Sequence, residues 1–246
     1  MPLRALLLAA SCAAAAHAGP AASAPRRVAF ATSDGWTIAA DYRPPRRGGA
    51  VLILVHGVGA SKAEWSVLAE RLAARGVGTL ALDLRGHADS RKGPGGEQGW
   101  EGFDAAGEWP NAGRDLDAAA GWLAARGIGG ARVGFGGGSI GANLAARAAA
   151  ARADAAFLLL LSPGPEYRGV ELVSRPGLKT LAVASTTDPY AAQTLGPLAA
   201  RGVETLEAPS GHGARLLDDP ATLDRVAEWV ARAARRVEAG RGPGAR

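Results

Sequence analysis

Between residues 28 and 237 the apolar positions follow two alternating rhythms. Residues 28–32 and 36–42 are two short, mainly apolar runs that flank the turn Ser33-Asp34-Gly35, which predicts a β-hairpin. Residues 50–55 are an unbroken apolar run, as in a strand buried on both faces, and residues 78–82 are predicted as the next buried strand. Further strands are predicted at 132–136, 155–161, 178–185 and 203–207. Helical spacing fills the gaps. It carries Trp65, Leu68, Ala69 and Leu72 within 62–75 and Leu116, Ala119, Ala120 and Leu123 within 115–126, and it recurs over 140–152, 190–201 and 218–237. A hairpin followed by alternating strands and helices predicts one α/β domain over residues 25–239. Its mostly parallel eight-stranded sheet would carry helices on both faces. Residues 86–113 form one long Gly-rich segment without a period. The chain up to Arg27 and from about Gly240 reads as tails outside the fold.

In sheets of this kind, function gathers at the carboxyl ends of the strands. His56-Gly57-Val58 follows the third apolar run, Asp83 the fourth, Ser139 the fifth, Asp188 the seventh and His212 the eighth. Gly137-Gly138-Ser139-Ile140-Gly141 is a G-x-S-x-G segment between strand and helix. A serine in so sharp a turn needs neighbours without bulk, and the helix start behind it offers a backbone N–H to developing negative charge. The plainer reading is that Ser139 only caps the helix. A nucleophilic serine needs a base. Of the four histidines, His17, His56, His87 and His212, only His212 follows Ser139, in the glycine-flanked loop Pro209-Ser210-Gly211-His212-Gly213. Asp188 is the best placed carboxylate to orient it, and its alternative role is a helix N-cap. Glu166 and Glu171 remain open for the same task. Asp154 precedes its strand, at the wrong edge of the sheet, and Glu204 and Glu207 belong to the last strand.

The ordered set H-G-V-G, D-L-R-G-H, G-G-S-I-G-A-N, T-D-P-Y and S-G-H-G resembles the α/β-hydrolase superfamily, and most of all its compact dienelactone hydrolases and small esterases. The likeness spans residues 28–237. It implies the α/β-hydrolase fold, with Ser139 as nucleophile, Asp188 as acid and His212 as base. The oxyanion hole it implies is the backbone N–H groups of Val58 and Ile140. His56 would shape its turn, while Arg85 and His87 would brace neighbouring turns. Two departures stand out. Gly138 replaces a larger side chain before the nucleophile, which predicts a looser elbow, and serine replaces the cysteine of dienelactone hydrolases proper. About sixteen residues, 162–177, separate the sixth and seventh strands, too few for a large cap domain. Trp100, Phe103 and Trp109 would either wall the pocket or pack their segment onto the body. The activity implied is hydrolysis of a small ester through an acyl-enzyme, without metal or organic cofactor. A serine peptidase or amidase acting on short peptides, or a non-catalytic binding protein of the same fold, are the alternatives.

Composition narrows the partners. With 246 residues, 48% of them apolar and 21% charged, the chain can bury a large core and is not disordered throughout. A single cysteine, Cys12, excludes an intramolecular disulfide. The net charge of +5 sits in Arg4 and in the arginines from Arg232 onward, so the body carries no basic face for nucleic acid. Residues 1–24 read as a leader: Arg4, an apolar run from Ala5 to about Ala16, then Ala16-His17-Ala18 as a cleavage site. Export to the periplasm or beyond is therefore expected. Residues 8–12 also form a weak lipobox, and a lipid on Cys12 would be the membrane attachment.

Overall fold

The computed structural model describes residues 24–239. The segment expected to be a leader, with Cys12, and the basic tail at 240–246 lie outside the described residues. Eight strands make the main sheet: β1 (Arg26–Ala31), β2 (Thr37–Arg43), β3 (Val51–Val55), β4 (Gly78–Leu82), β5 (Val133–Gly138), β6 (Leu158–Leu161), β7 (Thr180–Ser185) and β8 (Glu204–Ala208). Their spatial order is β1-β2-β4-β3-β5-β6-β7-β8, antiparallel through β2 and parallel from β4 onward. Four longer helices cover it: α1 (Ser66–Ala73), α2 (Gly113–Ala124), α3 (Ile140–Ala150) and α4 (Pro220–Ala239).

Alternation along β3 explains the layering. Val51, Ile53 and Val55 face a core with Leu116 of α2 and Leu144 of α3. Leu52 and Leu54 face the other side, with Leu68 of α1 and Val226 of α4. A strand buried on both faces has no polar side to show, which is why its run is continuous. The parallel register then aligns the strand ends. Val55 pairs with Gly137 and Leu161 with Gly138, so the loops after β3, β5 and β6 open side by side.

Four expectations are corrected. β1 begins at Arg26, and Arg26 and Arg27 pair with Tyr42 and Asp41, because strand pairing uses the backbone and leaves these exposed side chains in water. The helix expected at 190–201 is two short pieces, Pro189–Ala192 and Leu195–Ala199. Pro197 has no N–H to continue the ladder, so it fits only the first turn of a new helix. Residues 86–113 are not irregular. They hold a small two-stranded ribbon (Lys92–Gly93 with Gly96–Glu97), 3-10 turns at Trp100–Gly102 and Trp109–Ala112, and a short helix at Phe103–Ala106. The closing helix starts at Pro220 rather than Asp218, because Asp219 caps it by accepting the N–H of Thr222 at 2.8 Å.

Candidate active site

Ser139 sits between β5 and α3 with φ +56° and ψ −129°. This conformation is costly for a residue with a side chain and persists only where the surroundings impose it. Here backbone crowding imposes it. A Cβ on Gly137 would lie 2.8 Å from the Val55 carbonyl oxygen, and one on Gly141 would lie 2.5 Å from that of His56. The glycines at both flanks are therefore required for the turn to press against β3. Gly138 is not loose, contrary to expectation. A Cβ there would lie 3.0 Å from Gly213 Cα, so the loop after His212 occupies the space a larger residue would need. Ser139 makes no side-chain capping bond to α3, which removes the plainer reading of its role.

The loops after β7 and β8 meet beside it. His212 Nδ1 lies 2.6 Å from Asp188 Oδ2. With Nδ1–H donating to the carboxylate, Nε2 is left with its lone pair. The His212 side chain is 46% exposed and that of Asp188 14%, so the imidazole is open to a ligand while its partner is shielded. Asp188 also serves as the N-cap anticipated from sequence, its Oδ1 accepting the Ala191 N–H at 3.4 Å. The competing carboxylates lie elsewhere. Glu166 accepts the Gly169 N–H within its own hairpin, Glu171 is exposed, and Asp154 lies against Gly130 at the opposite edge. Gly57 brings bare backbone to Ser139, since a Cβ there would be 3.2 Å from Ser139 Cβ. The N–H groups of Val58, next along this turn, and of Ile140, at the start of α3, take part in none of the backbone bonds of the described turns and loops.

The sequence model of the alpha/beta hydrolase family matches residues 52–246. The chain belongs to the alpha/beta hydrolase family. Solved structures share the fold at low identity. An esterase of Pyrococcus furiosus is 18% identical with a TM-score of 0.64, covering 85% of this chain and 90% of its own. A dienelactone hydrolase from Anabaena variabilis is 19% identical with a TM-score of 0.59, covering 85% and 97%. An alpha/beta hydrolase from Novosphingobium aromaticivorans is 18% identical with a TM-score of 0.66, covering 85% and 99%. No curated protein sequence matches this chain.

In this family member the two other described histidines, His56 and His87, are braces. His56 is fully buried, donates from Nδ1 to the Gly57 carbonyl at 2.7 Å and accepts the Leu84 N–H on Nε2 at 2.9 Å. Burial, with His87 nearby, pulls its pKa down to about 4. His87 donates to the Arg85 carbonyl at 2.9 Å, accepts the Gly59 N–H at 3.2 Å and stacks on Trp100. Burial lowers its pKa too. Arg85 is fully buried and pairs with Asp115 at 2.8 Å, Asp34 at 2.8 Å and Glu108 at 2.5 Å, tying four segments together. Asp83 pairs with Lys62 at 2.6 Å, a structural bond away from the serine. Of the three aromatics in the long segment, Phe103 and Trp109 are buried and pack it down, while half-buried Trp100 stands over Gly59. Glu64, behind the same turn, has its carboxyl pushed up to about 7 by burial, against the pull of the Gly57 N–H.

Three residues at the site escaped the sequence reading. Ser162, at φ +50°, accepts the Gly213 N–H on its Oγ at 3.0 Å and so fixes the His212 loop. Tyr167 sets its ring edge-on to His212, with centroids 6.3 Å apart, and donates its hydroxyl to the Ser162 carbonyl at 3.2 Å. Asn143, one helical turn after Ser139, donates to the carbonyls of Gly164 and Val170, both at 2.9 Å. Asn143 stood inside the G-G-S-I-G-A-N segment, a signal that was available. Tyr167 had none.

Proposed function

We propose that this protein is a serine hydrolase that cleaves a carboxylic ester of a small substrate. The observation that carries the proposal is the 2.6 Å contact of His212 Nδ1 with Asp188 Oδ2, beside a serine held in a strained strand-to-helix turn. In this reading His212 Nε2 takes the Ser139 proton as Oγ attacks the ester carbonyl. Asp188 fixes the imidazole tautomer and offsets the charge it gains. The Val58 and Ile140 N–H groups receive the oxyanion, each contributing about 3–4 kcal/mol in comparable sites. Collapse expels the alcohol with the His212 proton, and water then releases the acid by the same steps. The half-buried rings of Trp100 and Tyr167 and the absence of a large cap favour short acyl or aryl esters over long lipids. An esterase and a dienelactone hydrolase among the proteins of like fold support ester chemistry.

The test is a fluorophosphonate probe on the purified protein, followed by peptide mass analysis and a panel of p-nitrophenyl esters against aminoacyl anilides. Labelling at Ser139, lost in Ser139→Ala and His212→Ala, with turnover of the short esters, is the expected result. A wild-type protein that neither labels nor turns over any of the panel would refute the proposal.

A further inference from the structure

The parallel strands all begin on one face of the domain, opposite the loops that carry Ser139, Asp188 and His212. That face is sorted by charge. Arg47 lies ahead of β3, Arg75 ahead of β4, Arg126 and Arg132 ahead of β5, Arg175 ahead of β7 and Arg201 ahead of β8. None of these pairs with a carboxylate among the described residues. Arg152, ahead of β6, pairs with Asp117, and Lys179, ahead of β7, pairs with Glu204. That leaves Asp154 as the carboxylate without an ion pair among the described residues of these connections. Part of the arginine content serves the helices whose carboxyl ends gather here. Arg75 donates to the Arg71 carbonyl at 2.9 Å and Arg126 to that of Trp122 at 3.0 Å. A helix end carries about half a negative charge, too little to cancel a full guanidinium. At the catalytic end the balance reverses: residues 86–112 hold Asp89, Glu97, Glu101, Asp104 and Glu108 against Arg91 and Lys92. A body that is neutral in sum is therefore polar in layout, and the expectation that it carries no basic face is corrected.

Both ends of the described chain join this face. β1 is antiparallel to β2, and β2 to β4, so Arg26 opens β1 on the side where β4 begins. Trp229 of α4 donates to Glu204, at the start of β8, at 2.8 Å, and the exposed Arg235 and Arg236 follow further along the helix toward the same end. At the β1 corner the half-buried Trp122 ring lies 6.2 Å from that of Phe30 and 5.0 Å from that of Tyr42, and the Arg126 guanidinium sits 3.5 Å over it.

We propose that this arginine face is a docking surface for a bilayer rich in anionic phospholipid, on which the domain rests with its catalytic loops turned to solvent. The inference goes beyond the serine-hydrolase reading and does not rest on it. Guanidinium groups match phosphate in charge and in fork geometry. Three features favour lipid over other anionic partners. The arginines are spread over a plane, from β1 to β8 and out to α4 on one side of the sheet. An arginine over an indole suits a headgroup layer, where one part of the pair is apolar and the other wet. The chain reaches Arg26 from residues that include the apolar run from Ala5 to about Ala16 and Cys12, so a hydrophobic group fixed there is delivered to this face. Each arginine near an anionic surface contributes about fivefold in binding, and salt screens it.

The experiment is cosedimentation of the full chain, with Cys12→Ser to prevent lipidation, on two kinds of vesicle. One is phosphatidylcholine alone, and the other contains about 30% phosphatidylglycerol. Any hold of residues 5–16 on lipid is common to both vesicles and to every variant. Partition into the anionic vesicles should be at least tenfold greater at about 0.1 M salt, and the excess should vanish at about 0.5 M. The exposed set Arg47→Gln, Arg126→Gln and Arg201→Gln, made together, should reduce that excess by up to about a hundredfold. Arg91→Gln with Lys92→Gln, on the catalytic face, should leave it within about twofold. Urea unfolding of each variant checks that the fold is kept, and the lipid and salt comparisons on the unsubstituted face stand whatever the variants do. Equal partition into the two vesicles, an excess that survives salt, or a loss from the catalytic-face pair as large as from the triple set would overturn the inference. So would a duplex oligonucleotide that strips the protein from the vesicles at equal phosphate, which would mark the face as one for nucleic acid. None of these readouts passes through Ser139, so this inference and the serine-hydrolase reading fail separately.

Discussion

Acidification should weaken this fold through His56, and the size of the effect follows from its surroundings. The ring is fully buried, with Nδ1–H donating to Gly57 and Nε2 accepting from Leu84. Adding a proton would set an N–H against the Leu84 N–H in a site that water cannot reach. Its pKa is about 4 in the fold, against an ordinary histidine value of about 6.5. Between those values the unfolded chain binds a proton that the fold refuses. Stability is therefore fully present above about pH 6.5 and is lost as pH falls toward about 4. The full loss is about 3 kcal/mol, of which about 2 kcal/mol is gone at about pH 5. His87, lowered by burial, acts in the same direction, while Glu64, raised to about 7, acts in the opposite one. His56→Gln isolates the single contribution because the other groups are common to both proteins. Urea unfolding, followed by tryptophan fluorescence at about pH 7 and about pH 5, gives four free energies. The acid-induced loss should be about 2 kcal/mol greater in wild type than in the variant. Equal losses in the two would mean that His56 titrates normally in the fold and that its bonds to Gly57 and Leu84 do not hold it neutral.

Asp188→Asn should cut ester turnover by about three to four orders of magnitude, while Glu166→Gln leaves it within about twofold; the reverse ranking in steady-state assays would move the acid to the neighbouring strand. Arg85→Met strands Asp115, Asp34 and Glu108 around an apolar side chain and should cost about 3–5 kcal/mol in urea unfolding. Gly134→Ala drives a methyl into the fully buried Phe157 ring and should cost about 1–3 kcal/mol, with Phe157→Leu on the same chain restoring part of it. We further propose that the chain is exported, and intact mass of protein from its native host should show a start near Gly19, or Cys12 carrying acyl chains; an unmodified chain from Met1 or Pro2 in the cytoplasmic fraction contradicts both.

The sheet could be read from the sequence because its central strands are buried on both faces and so are written as unbroken apolar runs. Ser139, Asp188 and His212 were legible for a related reason. Ser139 follows the Gly-rich β5 directly, Asp188 follows the apolar β7 after two residues and His212 lies just beyond the half-exposed β8, and glycine or proline beside each marks a turn that presents a side chain instead of packing it. Tyr167 and Ser162 were not legible. Their positions depend on hydrogen bonds donated by the Asn143 amide and by the Gly213 N–H, groups distant in sequence, and no local period encodes such bonds. The break near Pro197 was legible and was overridden by the helical spacing around it. Arg26 and Arg27 defeated the pattern in another way, since an edge strand with exposed side chains need not alternate.

The strand that carries the nucleophile has almost no side chains of its own. Four of the six residues of β5 are glycine, and the space above them is filled by others: the Phe157 ring over Gly134 and Leu159 over Gly136. Such a strand inherits its shape from its neighbours, and this sets the order in which the protein can change. Alanine at position 134 is open to a lineage only after Phe157 has become smaller, and a smaller residue at 157 leaves a void that only a change at 134 or nearby can refill. Each step alone is a loss, so the pair is locked by history, and drift will touch the surface loops long before it reaches the floor of the site. A mutagenesis library that varies β5 by single positions will return mostly destabilised protein, whereas one that couples 134 to 157 and 136 to 159 opens sequences that single steps cannot reach.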